Sequence, residues 1–256
     1  MDSARPPAFL PALRSAAVAC RAPGRLFALL LGTSLLAACG PPPALVQYVA
    51  ERHPECLWRV ETADSVVALT LDDGPHPALT PQILDVLADF DARATFFVMG
   101  RRIEGNEALL RRMVEEGHEL GNHLLTATPS ILLPDTLFAL RLREVDARLR
   151  PFGPVRWWRP ASGFYDAPMR QTAERLGYRC ALGDVYPNDA QNPFPALLAR
   201  YILRNVRPGS VIILHDGSAW RQRTVWTLRR ILPELERRGY RVVTLSALTG
   251  SAAEEP

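Results

Sequence analysis

The sequence predicts an α/β fold in which parallel strands close, or nearly close, into a β/α barrel. From residue 65 onward, short apolar runs typical of buried strands alternate with segments of helical period. Strands that alternate with helices form a parallel sheet, because each helix carries the chain back to the start of the next strand. Seven such strands within 256 residues favour a barrel over an open sheet.

These patterns predict seven strands and six helices. The strands are expected at 65–71, 94–99, 118–122, 155–158, 179–183, 210–215 and 241–245. The helices are expected at 81–89, 107–116, 135–149, 167–176, 195–206 and 222–238. Thr80 before Pro81 suits the start of a helix. Pro233 falls inside the last helix, where it would kink or split that helix.

The first 39 residues have the features of a bacterial export signal. Four arginines precede the apolar run Leu26–Ala38, and small residues stand before Cys39. The run has 13 residues, which is short for a membrane-spanning helix. The tetrapeptide "LAAC" resembles a lipobox, which predicts that Cys39 is lipidated and tethers the exported protein to a membrane of the cell envelope. Ordinary signal cleavage and an uncleaved N-terminal anchor are the alternatives.

The rest of the chain is expected to form a lead-in, one domain and a tail. The stretch "GPPPA" has the composition of a stiff linker, and residues 40–63 are assigned to linker and lead-in. The single domain is expected at 64–248 and a frayed tail at 249–256. In an oxidising compartment Cys56 and Cys180 could pair, but sequence alone gives no assurance that their geometry suits a disulfide, and two separate buried thiols are favoured.

The charged residues exclude several functions. All 30 basic residues are arginines, which excludes a lysine nucleophile, a Schiff-base lysine and a P-loop lysine. Residues 1–38 contain four arginines and one acidic residue, which accounts for the formal net charge of +3. The rest of the chain has no excess of positive charge, so no nucleic acid partner is expected.

Polar clusters recur after the predicted strands. They are "DDGPHP" after the first strand, "NH" at the end of the third, "RPASG" after the fourth, "GDVYPND" after the fifth and "HDG" at the end of the sixth. The carboxyl ends of parallel strands share one face of a barrel, and active sites lie on that face. Five polar clusters on one face therefore predict an active site.

Two carboxylates and two imidazoles stand out among these clusters, namely Asp72, Asp73, His123 and His215. Neighbouring residues of a strand point to opposite faces, so Asp72 and Asp73 converge only if the turn that follows redirects one of them. One carboxylate could then bind a metal while the other acts as a general base. The sequence has no nucleophile-elbow serine and no glycine-rich phosphate loop, so metal-assisted hydrolysis is the predicted class of reaction.

The stretch "LTLDDGPHPALTPQILDVLADFDARATFFVMGRRI", with "GHELGNH", "RPASG" and "IILHDG", closely resembles the polysaccharide deacetylases. This family of carbohydrate esterases includes chitin and peptidoglycan deacetylases. The resemblance covers residues 60–245. It implies an irregular seven-stranded β/α barrel that forms a single catalytic domain, and hydrolysis of N-acetyl groups on a glycan.

The resemblance also implies roles for individual residues in acid–base catalysis. Asp72 matches the general base of the family, and Arg159 matches the arginine that pairs with this base and orients it. His215 matches the general acid that protonates the departing amine. Asp189 falls where the family has a carboxylate that orients the acid.

A metal site and an oxyanion site are further implied by the resemblance. Asp73 and His123 match two ligands of a divalent metal, often zinc, and the backbone at Ser162 and Gly163 matches the amides that hold the oxyanion. The family has a second histidine ligand four residues after the first, where this chain has Ala127. The third protein ligand of the metal is therefore open.

Other groups could take the place of that histidine. The candidates besides a water molecule or the substrate are Thr126, Thr128, Asp189 and His118. His118 lies near the start of a strand, which favours a structural role. His53 and His76 have no such context and are expected in solvent or in turns.

Three functions are compatible with the sequence. The first is a membrane-tethered hydrolase that removes N-acetyl groups from an N-acetylated polysaccharide or oligosaccharide. The second is a glycan-binding lipoprotein that keeps the barrel and has lost efficient catalysis, although the presence of Asp72, Asp73, Arg159 and His215 argues against it. The third is a metal-dependent hydrolase that acts on another acyl group or C–N bond.

Overall fold

Seven parallel strands form the sheet at the centre of residues 40–250, the part of the chain that the computed structural model describes. The strands are β1 Val66–Asp72, β2 Ala94–Val98, β3 Glu119–Asn122, β4 Trp157–Trp158, β5 Arg179–Cys180, β6 Val211–His215 and β7 Arg241–Val243. They are ordered β5-β4-β3-β2-β1-β6, and β7 pairs with β1. Val185, just beyond β5, forms a parallel bridge with Ile212 of β6 and joins the two ends of this order. The predicted seven-stranded β/α barrel is thereby confirmed.

Eight α-helices lie within residues 40–250. They are α1 Pro43–Ala50, α2 Thr80–Ala88, α3 Glu107–Glu115, α4 Asp135–Leu149, α5 Ala167–Arg175, α6 Pro195–Asn205, α7 Gln222–Arg237 and α8 Leu245–Leu248. Each predicted helix is found with both ends within one residue of the predicted bounds. Pro233 lies inside α7 without dividing it. Thr80 is the first residue of α2 rather than its cap, and its hydroxyl instead accepts from the His76 N–H and donates to Asp216.

The central strands are buried on both faces, which explains their apolar sequences. All five residues of β2 are buried, as are the last six of β1. A parallel strand covered by helices on one side and by the barrel interior on the other has no face in water, so its side chains are apolar unless they bond inside the protein, as Thr70 does to the Ile212 carbonyl. The carboxyl ends of these strands are consequently fixed by a packed core.

The strands β4 and β5 are shorter than predicted, with two residues each. Beyond β5, the carbonyl groups of Ala181 and Leu182 accept hydrogen bonds from the guanidinium of Arg159. In a longer β5 these two carbonyl groups would accept hydrogen bonds from a neighbouring strand. Here they accept hydrogen bonds from Arg159 instead.

The lead-in is part of the folded domain. Residues 40–63, predicted as linker and lead-in, contain helix α1 and form bridges to the barrel at Leu57 with Ala181 and at Arg59 with Ser210. Cys56 and Cys180 form a disulfide with a Cα–Cα distance of 4.8 Å. The prediction of two separate thiols is therefore wrong. The fold brings together two cysteines that are 124 residues apart in sequence, a proximity that no local pattern encodes.

Breaking this disulfide is expected to destabilise the protein. A cross-link that closes so long a loop restricts the unfolded chain and contributes about 2–5 kcal/mol. The double variant Cys56→Ser/Cys180→Ser should therefore melt roughly 5–20 °C below the wild type in a thermal unfolding scan. Wild-type protein treated with a reductant is the matched control and should melt together with the variant. A variant that melts at the temperature of the oxidised wild type would contradict the expectation.

Some predictions fall outside the described residues. The export signal at 1–39, with the lipidated Cys39, is one of them, and residues 251–256 of the predicted tail are another. Among residues 40–250, no helix combines the length and the apolar character needed to cross a membrane.

Candidate active site

The polar clusters lie together at the carboxyl ends of the barrel strands. Asp72 ends β1 and is the register partner of His215, which ends β6. On the other side of β1, Asn122 ends β3 and is the register partner of Trp158 in β4. His123 is the next residue after Asn122. The strand register therefore places residues from distant parts of the sequence around one space.

Asp72 and Arg159 form a buried ion pair. The Arg159 Nη1 group lies 2.6 Å from Asp72 Oδ1, and both side chains are at most 6% exposed. The same Nη1 donates to the Thr70 hydroxyl at 2.8 Å, and the guanidinium lies 4.1 Å from the centre of the Phe97 ring. Burial lowers the pKa of Arg159, whereas the charge of Asp72 and the hydrogen bond to it raise this pKa. The pair fixes the orientation of Asp72.

Asp73 reaches the same space because its backbone is turned out of the strand. Its φ angle is +77°, a left-handed conformation that costs a non-glycine residue of order 1–3 kcal/mol. The following Gly74 is packed against Asp216 so closely that a Cβ atom there would lie 2.2 Å from the Asp216 carboxylate. This strained turn is what brings two consecutive carboxylates, Asp72 and Asp73, to one site.

His123 faces Asp73 with a defined ring nitrogen. Its Nδ1–H donates to the carbonyl of Arg159 at 2.9 Å, because a carbonyl can only accept. This leaves Nε2 directed at Asp73, 3.5 Å from Oδ1. Burial alone raises the pKa of Asp73, but the hydrogen bond from His123 and the positive charges of His123, His215 and Arg221 bring this pKa below its ordinary value. Asp73 is therefore held as an anion.

His215 forms two hydrogen bonds with the Asp189 carboxylate. Asp189 Oδ1 lies 2.7 Å from His215 Nδ1, and Oδ2 accepts from the His215 backbone N–H. Thr224 of α7 donates to the carbonyl of His215 at 2.9 Å. Burial on its own lowers the pKa of His215, but the charge and the hydrogen bond of Asp189 raise it above the ordinary 6.5. Because Asp189 accepts from Nδ1–H, the proton that His215 gains or loses is the one on Nε2, and the raised pKa favours the form that carries this proton.

In the loop for which an oxyanion site is predicted, one of the two amides is used within the loop itself. Ser162 and Gly163 both have positive φ angles, +65° and +74°. The Gly163 N–H donates to the carbonyl of Pro160, so the oxyanion prediction now depends on the Ser162 amide alone. Ser130, three residues after Ala127, anchors this loop by accepting from the Ala161 N–H at 2.8 Å.

The site contains two further charged residues that the sequence does not predict. Arg221, in a short turn after β6, places Nη2 2.9 Å from Asp73 Oδ2. Asp216 is fully buried, and burial raises its pKa to about 7. The "HDG" pattern contains Asp216 and could have signalled it. Nothing distinguishes Arg221 from the other arginines of the sequence.

The donors near Asp73 do not fit a catalytic zinc, which takes three protein ligands. Asp73 and His123 face each other as two ligands would, but Ala127 is exposed and offers no third donor. The neighbouring hydroxyls of Thr126 and Thr128 bond to each other at 3.1 Å. Among residues 40–250, no three His, Cys, Asp or Glu side chains are grouped as a metal would require. The predicted metal site is thus reduced to two protein ligands.

The other candidate ligands have different partners. The Asp189 oxygens are used by His215 and Thr224. His118 is buried and accepts from the Ala94 N–H through Nδ1, and burial lowers its pKa to about 4. Its expected structural role agrees with these contacts. His76 accepts from two backbone N–H groups of its own turn, in line with the expectation for that residue.

The fold is a β/α barrel, and its site brings two aspartates and two histidines together at the carboxyl ends of the strands. The model of the polysaccharide deacetylase family matches residues 59–181. The chain is 35% identical over 199 residues to the peptidoglycan-N-acetylglucosamine deacetylase of Bacillus cereus, with 75% of this chain and 91% of that protein covered. It is 34% identical over 200 residues to a chitooligosaccharide deacetylase of Sinorhizobium fredii, with 73% and 93% covered. The chain belongs to the polysaccharide deacetylase family and is a hydrolase of carbon–nitrogen amide bonds.

Solved structures of this family include both active and inactive proteins. A family 4 acetyl xylan esterase from Clostridium thermocellum, in complex with a cobalt ion, is 30% identical with a TM-score of 0.68, and 73% of this chain and 91% of that chain are covered. A CE4 family pseudoenzyme from Bacillus anthracis is 25% identical with a TM-score of 0.70, and 76% and 69% are covered. A mutant of that pseudoenzyme has restored enzymatic activity. Membership of the family therefore leaves the chemistry to be argued from the residues of the site.

Proposed function

We propose that this protein removes N-acetyl groups from an N-acetylated glycan, with Asp72 as the general base and His215 as the general acid. One observation carries the proposal. Asp72 and His215 are register partners at the ends of adjacent strands, each with a dedicated buried partner that fixes its orientation. The deacetylases of peptidoglycan and chitooligosaccharide that the chain matches support the choice of an N-acetylated sugar as substrate.

The base is suited to activating water. Arg159 holds one oxygen of Asp72, which leaves the other oxygen for a water molecule. As the water oxygen bonds to the acetamide carbon, its proton passes to Asp72 and the carbonyl oxygen takes up the electron pair. The product of this step is a tetrahedral intermediate with a negatively charged oxygen.

The acid is suited to releasing the amine. An amine anion is a poor leaving group, so the nitrogen has to be protonated as the C–N bond breaks. Nε2 of His215 can supply this proton because Nδ1 is held by Asp189. The carbonyl then re-forms, acetate is released, and the sugar keeps a free amino group.

Acetate release tests this proposal. The purified protein should release acetate from N-acetylglucosamine oligomers or from peptidoglycan, and His215→Gln should reduce the rate by about 100–10,000-fold. Arg229→Gln is a suitable control, because Arg229 is exposed on α7. Equal rates for wild type and His215→Gln would show that His215 is not the general acid.

The pH dependence should report the His215–Asp189 pair. The acid must carry its proton, so activity is lost as pH rises through the pKa of His215, which lies above the ordinary 6.5. Asp189→Asn removes the charge that raises this pKa, so the alkaline limb of the kcat/KM profile should move to lower pH. An unchanged alkaline limb in Asp189→Asn would show that another group controls it.

The protein is further proposed to act at the cell envelope, tethered through Cys39. The support is the apolar run Leu26–Ala38 and the "LAAC" that ends at this cysteine. Cys39→Ala should then move the protein from the membrane fraction to the soluble fraction of the envelope. Unchanged membrane association would favour an uncleaved anchor.

The identity of a metal stays a prediction. The family resemblance predicts a divalent metal such as zinc at Asp73 and His123, but these two donors do not complete a catalytic zinc site, and elemental analysis of the purified protein tests whether a metal is retained. A weakly catalytic glycan-binding protein is the alternative function, favoured by the missing third ligand and by the structural similarity to the pseudoenzyme. Binding of N-acetylglucosamine oligomers without any acetate release would support that alternative.

A further inference from the structure

Arg221 places a permanent positive charge where the metal-binding carboxylate of the family lies. Its Nη2 donates to Asp73 Oδ2 at 2.9 Å, and the two side chains are 16% and 17% exposed. The other Asp73 oxygen faces His123. Both oxygens of Asp73 thus have a partner from the protein itself.

Arg221 also has an unused donor. Its Nη1 is buried and has no hydrogen-bond partner among residues 40–250. A buried guanidinium N–H without an acceptor is costly, and ligands that carry negative charge satisfy such groups. This donor therefore suits an anionic or oxyanionic group bound at the site.

The position of Arg221 is fixed by the surrounding loop. It lies at the end of the turn Ala219–Arg221, and α7 begins at the next residue. The first turn of α7 is bonded to His215 through Thr224, and Arg102 donates to the carbonyl of Gly217 in the same loop. A Cβ at Gly217 would lie 2.3 Å from that of Asp73, so the loop packs directly on the Asp73 turn. Arg221 is consequently held against the Asp73 turn by a loop whose following helix is bonded to His215.

We infer that Arg221 is a catalytic residue of the deacetylation proposed above, on which this assignment rests. Its Nη1 donates to the acetamide oxygen as this oxygen becomes negative, while Nη2 stays on Asp73. The guanidinium thereby supplies a positive charge beside the oxyanion. A metal ion held by three protein ligands would otherwise supply that charge. No proton leaves Arg221, so the transfers from water to Asp72 and from His215 to the amine are unchanged.

The variants Arg221→Gln and Arg221→Lys test this role against Arg229→Gln, an exposed arginine of α7. Removing an oxyanion donor should lower kcat by about 100–1,000-fold with little change in KM, and lysine should restore part of the loss. Wild-type protein should keep its activity in a chelator. Zinc should bind at least about tenfold more tightly to Arg221→Gln, because Asp73 Oδ2 is then free. Thermal melting shows which variants are folded.

The outcomes separate the two claims. If wild type releases acetate and Arg221→Gln is equally active, Arg221 is not catalytic although the proposed function stands. If wild-type activity is lost in a chelator and regained with zinc, the metal and not Arg221 supplies the charge. If wild type releases no acetate under any condition, the proposed function itself fails. If Arg221→Gln binds zinc no more tightly than wild type, the ion pair with Arg221 does not limit metal binding by Asp73.

Discussion

Asp72→Asn is expected to lower kcat/KM for acetate release by about 100–10,000-fold without disturbing the fold. Asparagine has the shape of aspartate, and its Oδ1 can still accept from Arg159, which holds Asp72 Oδ1 at 2.6 Å. The amide cannot take a proton from water, however, so the attack on the acetamide carbon loses its base. The measurement is the rate of acetate release from N-acetylglucosamine oligomers.

Asp85→Asn provides the control for this variant. Asp85 lies on α2, and its side chain is 64% exposed in an ion pair with Arg112. The control should retain wild-type activity, since it changes a carboxylate outside the site. Comparable activity in Asp72→Asn and Asp85→Asn would show that Asp72 is not the general base.

Arg159→Met is expected to lower the free energy of unfolding by about 3–5 kcal/mol, because it leaves the charge of Asp72 buried without its partner. The carbonyl groups of Ala181 and Leu182 also lose the hydrogen bonds that hold the chain after β5. Urea denaturation measures this change. Activity should fall as well, since Asp72 loses the group that orients it.

A double variant separates the buried charge from the other contacts of Arg159. Asp72→Asn/Arg159→Met should recover part of the lost stability, because no uncompensated charge remains. Arg112→Met is a matched control in a surface ion pair and should cost at most about 1 kcal/mol. Equal stability of Arg159→Met and Arg112→Met would contradict the importance assigned to the buried pair.

The alternation of strands and helices was enough to predict the barrel and the face that carries the site. A strand that is buried on both faces carries no charged side chain along its length, so the first carboxylate or imidazole marks the strand end, as at Asp72 in β1 and His215 in β6. Helix α4, Asp135–Leu149, was predicted with its observed bounds because turns and prolines delimit it. Local patterns encode these features, and each depends on only a few neighbouring residues.

Other features depend on contacts between distant parts of the chain. The Cys56–Cys180 disulfide and the Arg221–Asp73 ion pair join residues 124 and 148 positions apart. The convergence of Asp72 and Asp73 requires a left-handed backbone at a non-glycine residue, which the sequence does not favour. Such strain persists because the surrounding packing imposes it, and this packing is visible only in the folded structure.

The joint appearance of acetate and free amino groups tests the account most directly. Wild-type protein incubated with N-acetylglucosamine oligomers and with peptidoglycan is expected to release one acetate for each free sugar amine formed, and Asp72→Asn is expected to form neither at a comparable rate. Wild-type protein that binds these glycans but forms no acetate and no free amine, with or without zinc or cobalt, would contradict the account and identify a binding protein on a deacetylase fold.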